Sequence, residues 1–398
     1  MRKRALVVGL GIAGMSAAIG LRRAGWTPVI VERAPERRTG GYFVGLFPEG
    51  RRAAVDLGIA GHLHTRNPER TADPNSWSVN RRGRRRPALG FLDQPGEPAA
   101  VLRGDIEAAL WQSITGVEVR FGTTPVGITE GRADVQVLLE EAGTGAQYRE
   151  SFDLVVGADG MRSSVRRMVF GPDEDYLTRW NAMICAFQMK EQVPSYEASD
   201  SIIIARAKRA VWVFGLADHA PTALLTYRTA DIQEQFSGSR VQRLRSVFSG
   251  MDDPVVRHVL DSLEEAPDHL FDSVHQVRMP RWGKGRVVLV GDAAWCMNLY
   301  SGMGATSSLR GGAALSAALL EHPGDLAAAL DAWEAGLRPF ITKNQRTARL
   351  KQQMFVPSSR RAEALRSALL GLARRVRGRR QATEAGGQQA QVLSGTSR

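Results

Sequence analysis

Short apolar runs that end at glycine-rich turns mark the strands of this chain. Residues 5–8 are one such run, of the kind found in buried parallel strands, and a glycine-rich turn follows at once. A helical pattern then extends to about Ala24, with Gly25 as its stop, and residues 28–31 form the next strand, which ends at Glu32. This order predicts a βαβ unit at the start of the chain.

Two later runs have the same form, and the pattern between them differs. Residues 153–156 lead into a Gly-Ala-Asp-Gly turn, and residues 286–290 lead into a Gly-Asp-Ala-Ala turn. Between about 173 and 275 the strands are rich in aromatic and β-branched residues, which indicates an antiparallel sheet. Helical patterns follow Pro323. The predicted fold class is α/β, with a Rossmann-like domain interleaved with a second domain on a mainly antiparallel sheet, plus C-terminal helices.

The first glycine turn, Gly9-x-Gly11-x-x-Gly14, carries candidate chemistry. In a βαβ unit the first glycine allows the tight turn, the second lets a pyrophosphate approach the backbone, and the third lets the helix pack closely on the strand. The helix N-terminus then offers N–H groups and a positive dipole end to phosphate. Glu32, about 20 residues further on, is suited to bind ribose hydroxyls. The pattern predicts a dinucleotide site; the alternative is a plain turn in a doubly wound fold.

The composition is that of a globular enzyme. Apolar residues make up 43% and charged residues 24%, which excludes disorder of the whole chain, and no apolar run is long enough for a membrane-spanning helix. The two cysteines, Cys185 and Cys296, have neither disulfide-framework nor metal-ligand spacing, so no metal is expected. The start of the chain has no signal-peptide pattern, and we expect a cytoplasmic protein.

The formal net charge of +12 is concentrated in the C-terminal part of the chain. From Arg338 onward the chain carries 14 basic and two acidic residues, so the whole excess lies there and the preceding residues are balanced. The charge therefore does not indicate a nucleic-acid-binding surface on the body of the protein.

Three motifs together resemble those of the para-hydroxybenzoate hydroxylase family, the single-component FAD-dependent aromatic monooxygenases that include the tetracycline-inactivating enzymes. The motifs are Gly9-x-Gly11-x-x-Gly14…Glu32-Arg33, Gly157-Ala158-Asp159-Gly160-x-x-Ser163-x-x-Arg166 and Gly291-Asp292-Ala293-Ala294. Arg103 matches the family's arginine that opens a helix, and residues 41–48 resemble the segment that runs past the flavin ring. The resemblance covers about residues 1–350 and implies a Rossmann-like FAD-binding domain of the GR2/PHBH type.

The resemblance implies FAD as the cofactor and NADH or NADPH as a transient reductant. In the family, the reduced flavin reacts with O2 to form a C4a-hydroperoxide that hydroxylates an electron-rich ring. A helix from Thr306 to about Leu320 would direct its N-terminus at the ring. The simpler interpretation of Asp159 and Asp292 in these motifs is that each serves as a turn or helix-cap residue. The implied cofactor-binding residues are Gly9, Gly11, Ala13, Gly14, Glu32, Arg33, Arg103, Asp159, Asp292, Gly302, Gly304 and Ala305.

The chain departs from the family pattern near the expected flavin ring. Leu299 stands where relatives carry a proline, and Met303 replaces a commoner glutamine. No residue stands out as a general base, so the catalytic residues stay unknown. Candidates for lining the substrate pocket are Phe43, Trp212, Phe214, Tyr300 and Met303, with an ordinary place in the core as the alternative for the aromatic strand residues.

Domain boundaries follow from these patterns. We expect an FAD-binding domain from residues 1–72, 100–172 and 276–324, and a substrate-binding domain from 73–99 and 173–275. A bridging helix (325–356), a basic amphipathic helix (357–380) and a disordered tail (381–398) follow.

Two basic segments have competing interpretations. Residues 81–86, rich in arginine around Gly83, predict an exposed hairpin turn, with a substrate entrance or a nucleic-acid patch as alternatives. In the second C-terminal helix, roughly Ser359 to Val376, the stripe Leu365, Leu369, Leu372 and Val376 is predicted to pack on the protein, with a membrane surface as the alternative.

The sequence thus predicts an NAD(P)H- and O2-dependent FAD monooxygenase. Its substrate would be a small phenolic or polycyclic molecule, in keeping with secondary metabolism or antibiotic biosynthesis, and it would be a monomer or homodimer that binds no nucleic acid. The alternatives are an FAD oxidase or dehydrogenase on the same fold, or a basic-tailed membrane- or nucleic-acid-binding protein with a vestigial cofactor fold.

Overall fold

The computed structural model describes residues 3–38, 40–69, 75–266 and 268–373. The strands in this part of the chain are β1 (Arg4–Val8), β2 (Thr27–Glu32), β3 (Phe43–Leu46), β4 (Ser76–Val79), β5 (Arg85–Pro87), β6 (Ala99–Leu102), β7 (Glu118–Phe121), β8 (Thr123–Glu130), β9 (Val135–Glu141), β10 (Gln147–Phe152), β11 (Leu154–Gly157), β12 (Leu177–Gln188), β13 (Ser201–Arg206), β14 (Arg209–Phe214), β15 (Thr222–Arg228), β16 (Leu270–Val277), β17 (Gly283–Lys284) and β18 (Val287–Leu289). The α-helices are α1 (Ile12–Arg23), α2 (Pro48–Asp56), α3 (Arg103–Ser113), α4 (Ser164–Val169), α5 (Arg240–Phe248), α6 (Pro254–Glu264), α7 (Asp292–Trp295), α8 (Gly304–Glu321) and α9 (Leu326–Phe355).

A six-stranded sheet forms the first layer, in the order β17-β18-β11-β1-β2-β7. All its pairs are parallel except β17–β18. The apolar run of β1 lies at its centre and is buried between β11 and β2, which confirms the predicted βαβ unit. Helix α1 crosses α8 closely, because Gly20 and Gly312 meet where a Cβ on Gly20 would lie 2.5 Å from the Gly312 carbonyl oxygen.

A seven-stranded sheet forms the second layer, in the order β16-β12-β15-β14-β13-β4-β5. All its pairs are antiparallel except β13–β4, which confirms the predicted mainly antiparallel sheet. Alternate residues face opposite sides. Trp212 and Phe214 face the core shared with the first sheet, whereas Leu225 and Tyr227 face a second core closed by α5 and α6. Strands β4 and β5 form the predicted hairpin, with an exposed turn at residues 81–84.

Helix α9 connects the two layers. It continues through Pro339, and its buried polar side chains bond to backbone groups of both layers: Glu334 accepts the Trp282 N–H at 2.8 Å, and Gln345 donates to the Val277 carbonyl at 2.7 Å. Three tryptophan rings, Trp282, Trp295 and Trp333, lie 4.5–5.8 Å apart beside α8 and α9. Within the described residues, we find no helix with the length and apolar character needed to cross a bilayer.

A C-terminal helix follows at residues 360–373, so the predicted Val376 end and the predicted tail at 381–398 lie outside the described residues. The prediction that its leucine stripe packs on the protein is wrong: Leu365, Leu369 and Leu372 are 61%, 49% and 60% exposed. The helix is held instead by Glu363 and Arg366, which lie on a different face.

Candidate active site

The first glycine turn is built by close packing at two of its three glycines. Gly9 has a positive φ of 107°, and a Cβ there would lie 2.6 Å from the Ala158 carbonyl oxygen. A Cβ on Gly14 would lie 1.9 Å from the Gly9 carbonyl oxygen. At Gly11, in contrast, a Cβ would meet no atom within 4 Å. Gly11 therefore borders open space, and this space lies at the N-terminus of α1, which has no side-chain cap.

Glu32 lies at the end of β2 and faces this turn. Its carboxylate accepts the Leu10 N–H at 2.9 Å and the Ala34 N–H at 2.9 Å, one on each oxygen. Each carboxylate oxygen has a further lone pair, so the group can also accept hydroxyl hydrogen bonds. Its neighbour Arg33 is exposed.

Asp159 in the second motif caps helix α4. Its carboxylate accepts the Ser164 and Val165 N–H groups at 2.6 and 3.1 Å, and also the Ser163 hydroxyl at 2.5 Å. The cap chemistry considered as the simpler interpretation is therefore present, whatever else this loop contacts.

The second and third motifs are tied together by Arg166. This side chain is fully buried, and its guanidinium donates to the Ala293 carbonyl at 2.8 Å and pairs with Asp173 at 2.5 Å. Ala13 makes a second link, because its methyl lies against Gly291. The three turns therefore meet at one edge of the parallel sheet, where the carboxyl ends of its strands lie.

Asp292 and Arg103 lie at this edge with opposite charges. Asp292 is exposed, yet the protein surrounding its carboxylate raises its pKa, and hydrogen bonding by Cys296 and the charge of Arg103 act in the opposite direction. Arg103 begins α3 and pairs with Glu107 at 2.6 Å. Burial likewise raises the pKa of Glu107. A carboxylate that is both accessible and desolvated lies in a concave surface.

Tyr42 completes this cluster. Its carbonyl accepts the Arg103 N–H at 3.0 Å, and burial raises the pKa of its phenol, with Arg103 lowering it and Asp292 raising it further. The segment 41–48 thus lies beside Asp292 and Arg103. Neither Tyr42 nor Glu107 is a candidate from the sequence, since only tertiary packing brings them here.

The loop between α7 and α8 contains unusual backbone and an unpaired donor. Asn298 has a φ of 64°, and its side-chain oxygen accepts the Ser301 N–H at 3.3 Å. Its Nδ2 is buried and has no hydrogen-bond partner among the described residues. Gly302 has a φ of 68°. Helix α8 begins at Gly304, two residues before its predicted start, and Gly304 borders open space. Buried Met303 and Ala305 flank it.

Lys351 of α9 reaches this loop, and the sequence does not single it out. Its Nζ donates to the Ser301 carbonyl at 2.6 Å and lies 5.9 Å from the centre of the Phe47 ring. Burial lowers the pKa of the ammonium group.

Six rings form a continuous aromatic row from the loop at residue 91, past the end of α9, to the loop that precedes α8. Phe43 stacks on Phe214 at 4.3 Å with an angle of 4° between the planes, and Trp212 stacks on Phe355 at 4.5 Å. Phe91 lies edge-on to Phe43 at 5.3 Å. The row is defined by its rings Phe91, Phe43, Phe214, Trp212, Phe355 and Tyr300.

The row brings four of the five pocket candidates together, and two of its rings, Phe91 and Phe355, were not predicted. Phe43, Trp212, Phe214 and Tyr300 belong to it, whereas Met303 lies three residues beyond Tyr300 at the start of α8. The Tyr300 hydroxyl lies 2.7 Å from the Thr226 hydroxyl, and burial raises the pKa of this tyrosine to about 12. The row thus joins the second sheet to the loop that precedes α8.

Residues 2–348 match the protein family described as FAD binding domain. The chain belongs to this family. It is 28% identical over 351 residues to a flavin-dependent monooxygenase of Legionella longbeachae, with 86% of each chain covered. It is also 28% identical over 384 residues to an FAD-dependent monooxygenase of Sarocladium schorii, with 89% of each covered. The crystal structure of tetracycline destructase Tet(51) superposes with a TM-score of 0.75 at 26% identity, covering 93% of this chain and 96% of that one.

Membership of the FAD binding domain family confirms the predicted fold class, the cofactor FAD and an FAD-dependent oxidoreductase. The residues present fit this cofactor. Gly11 and Gly304 leave space at two helix N-termini that have no side-chain cap, and the buried Nδ2 of Asn298 is a donor without an acceptor. These features are what a large anionic group with ring carbonyls requires.

Proposed function

We propose that the protein is an NAD(P)H- and O2-dependent FAD monooxygenase that hydroxylates a planar phenolic or polycyclic substrate. The observation that carries this proposal is the aromatic row, because it joins the second sheet to the loop that leads into the open N-terminus of α8. Flat aromatic side chains with few rotatable bonds suit a flat substrate. The monooxygenase names of the relatives support the reaction type.

Each of the three motifs would hold a different part of FAD. The N-terminus of α1 at Gly11 would take the pyrophosphate, Glu32 the adenosine ribose, and Asp292 with Arg103 the ribityl region. Residues 302–305 would place the N-terminus of α8 at the ring, where its dipole favours negative charge. Bound FAD supplies the redox chemistry, which comprises uptake of two electrons from NADH or NADPH and activation of O2.

The chain's own groups position the substrate and exclude water. The Tyr300 hydroxyl remains protonated at neutral pH, because burial holds its pKa at about 12, and it is shared with Thr226. Its single hydrogen is donated to Thr226, whose own hydroxyl donates to the Met183 carbonyl, so Tyr300 can accept a hydrogen bond from a substrate hydroxyl and does not act as a base. The rings Phe43 and Phe214 are buried and form an apolar wall on the side of the second sheet.

Leu299 favours a second candidate function, an FAD oxidase or dehydrogenase. This residue begins a short 3₁₀ turn, residues 299–301, next to the left-handed Asn298, and a proline here would fix the backbone more tightly. A less constrained turn would make oxygen transfer to the substrate less efficient.

One experiment distinguishes these functions. The purified protein is analysed for released FAD, and NADH and NADPH oxidation is followed with a panel of phenols under isotopically labelled O2. We expect FAD and a product that gains one labelled oxygen atom. Products that lose two hydrogens, with all O2 recovered as hydrogen peroxide, would establish the oxidase instead. Absence of bound and bindable FAD would refute both.

The two cysteines also bear on location. Cys185 and Cys296 are both free and buried, which suits the reducing cytoplasm that we propose as its compartment.

A further inference from the structure

The C-terminal helix, residues 360–373, is attached to the protein by one face. Ser359 caps it by accepting the Ala362 N–H at 3.2 Å. Glu363 accepts two bonds from the Arg81 guanidinium, at 3.1 and 2.7 Å, and the Ala207 N–H at 2.9 Å. Arg366 is 8% exposed and donates to the Met354 carbonyl at 2.5 Å. The attached face therefore carries charged groups whose partners lie on the second sheet, its hairpin and the end of α9.

The apolar face of the same helix is directed away from the protein. Leu365, Leu369 and Leu372 follow at spacings of four and three and form one stripe. They are 49–61% exposed, although the protein holds Arg366, next to Leu365, almost fully buried. An arrangement that buries arginine and exposes three leucines costs free energy in water. A partner with an apolar surface would remove this cost.

The charge around the stripe identifies the partner. Arg360 and Arg361 are exposed at the start of the helix. Glu363 is occupied by Arg81, and the chain beyond residue 373 adds six arginines and one glutamate. A second copy of the chain would bring like charges together, and nucleic acid would leave the leucines in water. An anionic lipid bilayer satisfies both the leucines and the arginines.

We propose that the leucine face of the C-terminal helix binds the surface of membranes that contain anionic lipids. The helix lies in the plane of the headgroups with Leu365, Leu369 and Leu372 inserted, while the Glu363–Arg366 face keeps the enzyme attached. This role is independent of the oxidation chemistry, because these leucines lie outside the cofactor site and the aromatic row.

The test is co-sedimentation of the full-length holoenzyme with vesicles. One set of vesicles contains phosphatidylcholine alone, and the other contains phosphatidylcholine with phosphatidylglycerol, each at low and at high salt. We expect at least tenfold tighter binding to the anionic vesicles, with most of it lost at high salt. The triple variant L365Q/L369Q/L372Q should bind at least tenfold more weakly while retaining FAD and NAD(P)H oxidation.

The matched control replaces exposed apolar side chains that lie on other elements. Val55, Val126 and Leu320 are 65%, 42% and 58% exposed on other elements, and the triple variant V55Q/V126Q/L320Q should bind vesicles within twofold of wild type. Equal binding by the two triple variants would overturn the proposal. So would absence of vesicle binding, whether accompanied by leucine-dependent dimerisation in sedimentation velocity or by leucine-insensitive binding to duplex DNA.

Discussion

The ammonium group of Lys351 lies 2.6 Å from the carbonyl oxygen of Ser301, and this contact joins the last long helix to the turn that precedes α8. In the part of the chain that the structure describes, no carboxylate pairs with Lys351. Its burial, which lowers its pKa, is offset by the carbonyl and the face of Phe47. The contact holds in place the loop that carries Asn298 and Gly302.

Replacing Lys351 by methionine should therefore weaken cofactor binding more than it changes stability. Loss of a buried charge offsets loss of its hydrogen bond, so we expect the free energy of unfolding of the apoprotein to change by less than about 1 kcal/mol. The freed turn should raise the Kd for FAD about tenfold, which corresponds to about 1.4 kcal/mol. The control is R349M, an exposed residue on the same helix. Equal FAD affinity in both variants would show that the contact does not serve the cofactor.

The glycine turn offers a pair of variants with opposite outcomes. Gly14→Ala places a methyl 1.9 Å from a backbone oxygen and should destabilise the apoprotein by about 3 kcal/mol or abolish folding. Gly11→Ala meets no atom within 4 Å, so the apoprotein should keep its denaturation midpoint. The added methyl takes the space that we assign to the pyrophosphate, and FAD affinity should fall at least a hundredfold. Normal FAD binding by the Gly11 variant would move the phosphate site elsewhere.

Leu299→Pro tests the departure from the family pattern. Proline suits the first position of a helical turn, which Leu299 occupies, and the ψ of 165° at Asn298 is compatible with a following proline, although the φ of 64° there is not the value that residues before proline favour. We expect the variant to fold normally and to raise at least twofold the fraction of NAD(P)H oxidation that ends in hydroxylated product. Leu299→Ala serves as the control. The same product ratio in wild type and both variants would show that the missing proline has no effect on oxygen transfer.

Stability should decline in mild acid because of His275. This buried imidazole lies 3.2 Å from the Ser273 hydroxyl, and burial lowers its pKa below 6.5. The positive charges of Arg162 and Arg179 also lower this pKa. The hydrogen bond with the Ser273 backbone and the negative charge of Asp272 raise it, but by less. Below about pH 6.5 the unfolded chain binds a proton that the folded chain does not. The free energy of unfolding is therefore at its full value above pH 6.5.

Below that pH it should fall by up to about 1.4 kcal/mol per pH unit, until the folded imidazole also protonates. Denaturant titrations between pH 7 and 5 measure this slope. His275→Gln should reduce it, whereas His62→Gln, at an exposed position, should leave it unchanged. A wild-type slope that persists in the His275 variant would assign it to other groups, among them His269, whose pKa burial also lowers.

The sequence could predict features that depend on neighbours along the chain. The turn at Gly9, the strand that ends at Glu32 and the change to an antiparallel sheet all follow from short-range patterns, and the structure has them. Arg103 opens its helix as the family motif implies. Asp159 shows the limit, because the same residue serves as a helix cap and no pattern separates that role from a contact with the cofactor.

Features that depend on distant segments could not be predicted. Phe355 joins the aromatic row, and Lys351 reaches the loop that precedes α8, only because α9 lies across both layers, and Phe91 joins the row from a distant loop. The prediction that the leucine stripe packs on the protein was wrong for a related reason. Periodicity shows that Leu365 and Leu369 share a face but not whether the protein or the solvent lies against it, and charged partners at Glu363 decided the orientation.

The three adjacent tryptophans beside α8 and α9 can serve as an intrinsic fluorescence probe. Indole rings 4.5–5.8 Å apart share excitation energy, so emission from Trp282, Trp295 and Trp333 is strongly depolarised while the helices remain together. Separation of α9 would remove Trp333 from this exchange, before the parallel sheet unfolds, and leave only the Trp282–Trp295 pair. Fluorescence anisotropy should therefore report the loosening of the helical bridge as an event distinct from global denaturation, with no added dye.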